Sequence, residues 1–141
     1  MSINSIAAEK SGSIAGSSFV VLAGRALLSA MFIFAGYSKL AGIAGTAAWF
    51  GSIGLPMPTT VAVLAGLVEL FGGLAILFGY RTRIAALALA AFTLAATGIA
   101  HLDFADPTQL LFIQKNLSIT GGLLILAIFG AGAASFDARR N

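Results

Sequence analysis

The chain has 141 residues, of which 59% are hydrophobic and 9% charged, with a formal net charge of +3 and a mean hydropathy of +1.00. An ordinary soluble domain carries about 25% charged residues, so too little polar surface is present to coat a soluble globule, and the composition reads as an integral membrane protein. The basic residues are scattered rather than massed, which excludes a nucleic-acid footprint, and the absence of cysteine excludes disulfides, thiol relays, iron–sulfur clusters and Cys-based zinc sites.

Residues 1–17, "MSINSIAAEKSGSIAGS", are polar and Ser/Gly-rich with Lys10 as the only base. They read as a flexible polar tail that stays attached, not as a cleavable signal, because the apolar stretch that follows is too long for a signal core and contains Arg25. A membrane helix needs about 20 mostly apolar residues. The first span is expected from about Ser18 to Ser38, with Arg25 about two turns inside, Ser29 on the same face and Lys39 at its far end. The connection that follows contains "GIAGTAAWFGSIGLPMP" and is too short and too Gly-rich to cross a bilayer. Trp49 and Phe50 predict instead a short helix lying at the interface, closed by Pro56 and Pro58.

The second span is expected from Pro58 to about Gly79 and carries Glu69 near its middle. "YRTR" follows, a connection so short that the second and third spans must be antiparallel neighbours. The third span, about Ile84 to Leu102, bears a polar stripe of Thr93, Thr97 and His101 at spacing four. "HLDFADPTQ" is a polar loop with an Asp106-Pro107 turn signal. The fourth span, about Leu110 to Gly130, opens with Lys115 and Asn116, and residues 133–141 form a basic tail. All backbone polar groups in lipid must be paired internally, so the spans are helices. The fold expected is all-α, an integral membrane four-helix bundle over residues 18–132 with a short interfacial helix between its first two spans.

With four spans, Lys10, Arg81, Arg83, Arg139 and Arg140 share one side, while Lys39 and Lys115 lie towards the other. The positive-inside rule then makes both termini cytoplasmic.

Glu69 poses the sharpest question. A charge near the bilayer midplane costs about 2.5–3.5 kcal/mol on insertion scales. Ala62, Ala65, Gly66, Gly72 and Gly73 lie on or near its helical face, so Glu69 faces protein rather than lipid. If the first two spans enter the bilayer at equal depth, Arg25 lies about one turn from it, and a buried Arg25–Glu69 pair is expected. Such a pair serves either function or simple clamping. Lys115 either snorkels to the interface or turns inward. His101 with Asp103 and Asp106 is a weak metal pattern, and no metal site is assigned. Three bases, Arg25, Lys39 and Lys115, then stand against one acid. That surplus of donors favours an acceptor-rich guest, a quinone carbonyl or a small anion, held near Lys39, His101, Lys115 and Asn116.

Four stretches, "GRALLSAMFIFAGYSKLAG", "WFGSIGLP", "GLVELFGGLAILFGYRTRIAAL" and "KNLSITGGLLIL", together spanning about Leu22 to Gly132, resemble the DoxX family of small four-span bacterial membrane proteins. The motif positions carried by that resemblance are Arg25, Lys39, Glu69, Lys115 and Asn116. It implies a multi-pass protein of the bacterial cytoplasmic membrane and a quinone-linked oxidoreductase component. It supplies no catalytic residue set, and the chain has no intrinsic cofactor, haem-ligand pair or nucleotide motif. A redox role would need a quinone, a redox-enzyme partner subunit or both, and a homo-oligomer is left open. Two other classes compete: a structural or assembly subunit with internal charge clamps, and a small-solute transporter, for which the two halves show no convincing inverted repeat.

Overall fold

The structure is a computed structural model that describes the backbone of residues 3–140 and the side chains of residues 18–140. Among the described residues there are five α-helices: α1 (Ile3–Ala41), α2 (Ile43–Ser52), α3 (Pro58–Phe78), α4 (Thr82–Ala100) and α5 (Pro107–Phe129). A short 3₁₀ turn, Asp137–Arg139, follows. Among the described residues four segments are long and apolar enough to cross a membrane: Ser18–Ala41, Pro58–Phe78, Thr82–Ala100 and Pro107–Phe129. The expected all-α bundle with a short helix between its first two spans is the observed architecture, with span ends shifted by a few residues. The flexible tail expected over residues 1–17 falls where Met1, Ser2 and all seventeen side chains lie outside the described set, while the helical backbone of α1 begins at Ile3.

Proline and glycine set the breaks. Pro58 and Pro107 each occupy the first turn of a helix, where their missing N–H costs nothing. Asp106 caps α5 by accepting the Thr108 N–H at 2.8 Å. α3 ends at Gly79 in the left-handed conformation (φ 68°), with the Tyr80 N–H returning to the Ala75 carbonyl at 2.8 Å. Arg81 is also left-handed (φ 44°), which completes the reversal into α4.

α1 packs chiefly on α3, and α4 on α5. Small residues make the first contact close. A Cβ on Gly36 would stand 2.5 Å from the Leu70 nitrogen and 2.6 Å from the Gly66 oxygen, so the two backbones nearly touch there. The main apolar core gathers Phe32, Ile76, Ala86, Leu89 and Leu123. A smaller one, Phe50 with Ala62 and Ala65, seats α2 on the first turns of α3. Outward faces are apolar as well: Leu27, Phe34, Phe71, Ile84 and Ile128 are all exposed, as lipid-facing side chains must be.

The segment after α5, expected as a tail, folds back under the bundle. The Phe136 N–H donates to the Phe78 carbonyl and the Asp137 N–H to the Gly79 carbonyl. The Asp137 carboxylate accepts the N–H groups of Arg81 and Thr82 at 2.7 and 2.8 Å, capping α4 from outside.

Candidate functional site

The two expected partners Arg25 and Glu69 are both buried but not paired with each other. Nη1 of Arg25 donates to the carbonyls of Ala131 at 2.5 Å and Ala134 at 3.1 Å, and Nη2 donates to Leu77 at 2.8 Å. Glu69 meets Lys39 instead, with Nζ 2.7 Å from Oε2. The reason is helix register. Position 36 of α1 is level with 70 of α3, and 33 with 73, so Glu69 is level with position 37. Arg25 lies twelve residues further along α1, roughly 18 Å away. The expectation had assumed equal insertion depth. In fact α3 extends about two turns beyond the end of α1, and α2 covers the surplus.

Lys39, expected at the interface, therefore turns in beneath α2. Its side chain is 25% exposed and that of Glu69 10%. The contact joins the last turn of α1 to the middle of α3 and faces a cavity of about 420 Å³ enclosed by all five helices. Met31, Phe32, Phe50, Val61 and Phe92 supply apolar wall. The polar groups converge from four helices: Lys39 of α1, Glu69 of α3, Thr93 and the C-cap His101 of α4, and Lys115 and Asn116 of α5. The residues expected to bind a ligand, Lys39, His101, Lys115 and Asn116, are thus brought to one cavity, together with Glu69 and without Arg25.

Each polar group has a local anchor. Thr93 and Thr97 donate to the carbonyls of Leu89 and Thr93, both at 2.7 Å, and so need no other acceptor. Asn116 Nδ2 donates to Thr97 Oγ1 at 2.9 Å, tying α5 to α4. His101 Nδ1 lies 2.6 Å from Gln109 Oε1. That contact makes Nδ1–H the donor and leaves Nε2 the acceptor in the neutral ring. Asp103 and Asp106 each accept a nearby backbone N–H, which gives both a turn-forming role. Ser118 donates to the Gln114 carbonyl of its own helix.

Sequence reasoning missed the aromatic stack at the cavity. The His101 ring stacks on Phe112 with centroids 4.9 Å apart and on Trp49 at 6.4 Å, and Lys115 Nζ sits 4.8 Å from the Phe112 centroid. Phe112 and Gln109 fall one turn or more from Lys115 in a run of apolar residues, and only the tertiary fold shows that they meet His101. The donor surplus also needs correction. Arg25 belongs to the other end of the bundle, and Lys39 is compensated by Glu69. Among the described residues Lys115 is the cavity's base without a carboxylate in ion-pair contact. The arrangement offers an ammonium beside a carboxylate, a second ammonium, flat aromatic faces and an otherwise apolar chamber.

The DoxX family model matches residues 20–102. The chain is 45% identical over 121 residues to "Inner membrane protein YqjF" of Escherichia coli strain K12, covering 86% of this chain and 92% of that protein. It is 35% identical to "Inner membrane protein YphA" of the same organism, covering 85% and 89%. It is 33% identical to "Putative oxidoreductase CatD" of Bacillus subtilis strain 168, covering 69% and 75%. No solved structure gives a significant match.

Proposed function

Because this chain belongs to the DoxX family, we propose that it is a quinone-binding component of a membrane oxidoreductase, with the head group held in the cavity between Lys39–Glu69 and Lys115. One observation carries the reading: an ion pair and a second ammonium converge on an apolar chamber of about 420 Å³, within the 300–1,000 Å³ usual for small-molecule sites. The name of the Bacillus subtilis relative, "Putative oxidoreductase CatD", points the same way.

A quinone supplies two-electron redox chemistry when bound. This chain's own residues bind and orient it. The Lys115 ammonium donates to a carbonyl oxygen. Phe112 and Trp49 offer faces for the ring. Glu69, steadied by Lys39, is a carboxylate that can hold a proton within the membrane. The chain contributes no electron carrier, so a partner subunit is needed. The membrane in question is the bacterial cytoplasmic membrane, with both termini cytoplasmic and the cavity in the outer half.

A second reading, a structural or assembly subunit, is favoured by the same Lys39–Glu69 contact taken as a clamp between α1 and α3. The deciding experiment is lipid extraction and mass spectrometry of protein purified in native lipids, with Lys115→Met beside the wild type. On the quinone reading, the wild type carries quinone and the variant stays folded but loses it. Quinone-free wild type whose melting temperature does not respond to added quinone would leave the structural reading standing.

A further inference from the structure

A second cavity lies at the opposite end of the bundle, where the α3–α4 turn meets the segment after α5. It measures about 560 Å³ and is lined by Arg81, Arg83 and Arg140 together with the apolar Ile84 and Phe129. We propose that this groove is a binding site for an anionic phospholipid, the phosphodiester held by the arginines and an acyl chain lying along Ile84 and Phe129.

Three observations support the assignment. Charge is the first. Among the described side chains this end carries Arg25, Arg81, Arg83, Arg139 and Arg140 against one carboxylate, Asp137. Both oxygens of Asp137 are already taken by the backbone N–H groups of Arg81 and Thr82. No ion pair within the described residues involves any of the five arginines. Arg25 is committed to three carbonyls. The Arg81, Arg83 and Arg140 side chains that line the groove are exposed, with Arg140 5.9 Å from the Tyr80 ring centroid. Arginine suits this role because its planar fork binds phosphate oxygens in pairs.

Depth is the second. Thr82 begins α4 and Phe129 ends α5, so the groove sits where spans leave the hydrocarbon and head groups begin. The third is the mixed lining. Ile84 is 61% and Phe129 79% exposed, and both line the groove together with the arginines. A free anion uses only the polar half of such a groove, whereas a phospholipid uses both. Basic grooves between membrane helices are a recognised way of holding anionic head groups.

The test uses the full chain in neutral detergent, with thermal unfolding followed on addition of phosphatidylglycerol, phosphatidylcholine or inorganic phosphate. Phosphatidylglycerol should raise the melting temperature by several degrees more than phosphatidylcholine, and inorganic phosphate should not reproduce the shift. The double variant Arg83→Gln/Arg140→Gln should bring the phosphatidylglycerol effect down to the phosphatidylcholine level. Arg139→Gln, which does not line the groove, should keep the full effect. Equal stabilisation by the two lipids overturns the proposal without any variant. So does a shift matched by phosphate alone, which would mark a simple anion site, or a double variant that responds like wild type.

Discussion

Lys39, in the last turn of α1, and Glu69, at the middle of α3, form an ion pair with Nζ 2.7 Å from Oε2 inside the membrane-spanning bundle. Removing one member of such a pair leaves a charge with no counter-ion, at a cost of about 3–5 kcal/mol, whereas removing both together is often tolerated. Lys39→Met should therefore destabilise the protein strongly, and Lys39→Met/Glu69→Leu should recover much of the loss. Unfolding in detergent of the two singles and the double reads this out. Additive effects would mean that the contact carries no coupling.

Arg25 should behave independently of Glu69. Its guanidinium holds three carbonyls from two distant segments, and hydrogen bonds to charged groups contribute about 1.5–3 kcal/mol each. Arg25→Met should destabilise by about 3 kcal/mol or more and loosen the segment after α5 to limited proteolysis. Arg25→Lys should recover little, since a single ammonium cannot reproduce the fork. Coupling between Arg25→Met and Glu69→Gln would contradict the register found here.

Gly36 and Gly121 form a contrast pair. A methyl group at Gly36 would collide with the Leu70 and Gly66 backbones, while at Gly121 it meets nothing within 4 Å. Gly36→Ala should force α1 and α3 apart and cost about 1–3 kcal/mol. Gly121→Ala should be neutral or slightly stabilising, because alanine is the better helix former. Melting temperatures of the two variants decide it, and equal effects would remove the close α1–α3 approach from the account.

Asp137 predicts a pH dependence. Burial pushes its carboxyl up, but the backbone N–H groups of Thr82 and Arg81, with Arg140 nearby, hold it below its ordinary value on balance. A carboxyl with a depressed folded-state pKa stabilises fully above its unfolded value of about 3.9. That stabilisation fades as pH falls through the lower folded value. Asp137→Asn should therefore melt below wild type at pH 7, and the gap should close in acid below about pH 4. A gap that persists unchanged there would assign the loss to packing rather than to the charge.

Both termini should face the cytoplasm, because Arg81, Arg83, Arg139 and Arg140 flank one end of the spans. Reporter fusions at residues 1 and 141 check this, and an external reading at either one refutes the orientation.

The spans were legible because hydropathy alone marks them, and the helix α2 because Trp49, Phe50 and two prolines sit in a stretch too short to cross. The pairing of the buried charges was not. Sequence gives each residue a depth only if every helix is assumed to start at the same plane. Gly36 fixes the offset between α1 and α3, yet nothing local distinguishes it from Gly24, which meets nothing within 4 Å. The return of the chain after Gly130 was hidden for a similar reason. The acceptors that hold Arg25 are backbone carbonyls, which every residue possesses and no side-chain pattern announces. The gathering of Lys39, His101, Lys115 and Asn116 was foreseen from the end of the membrane they share, and the Phe112–His101–Trp49 stack was not.

The staple at Arg25 bears on how the protein is made. Two of its three acceptors, the carbonyls of Ala131 and Ala134, lie 106 and 109 residues downstream. The first span is thus synthesised long before the groups that satisfy its guanidinium exist. During biogenesis that end of α1 must stay in contact with water or lipid phosphate. It can settle only after the ribosome has passed Ala134. A chain that stops before Ala131 lacks both of those acceptors and leaves the Arg25 guanidinium with the Leu77 carbonyl alone.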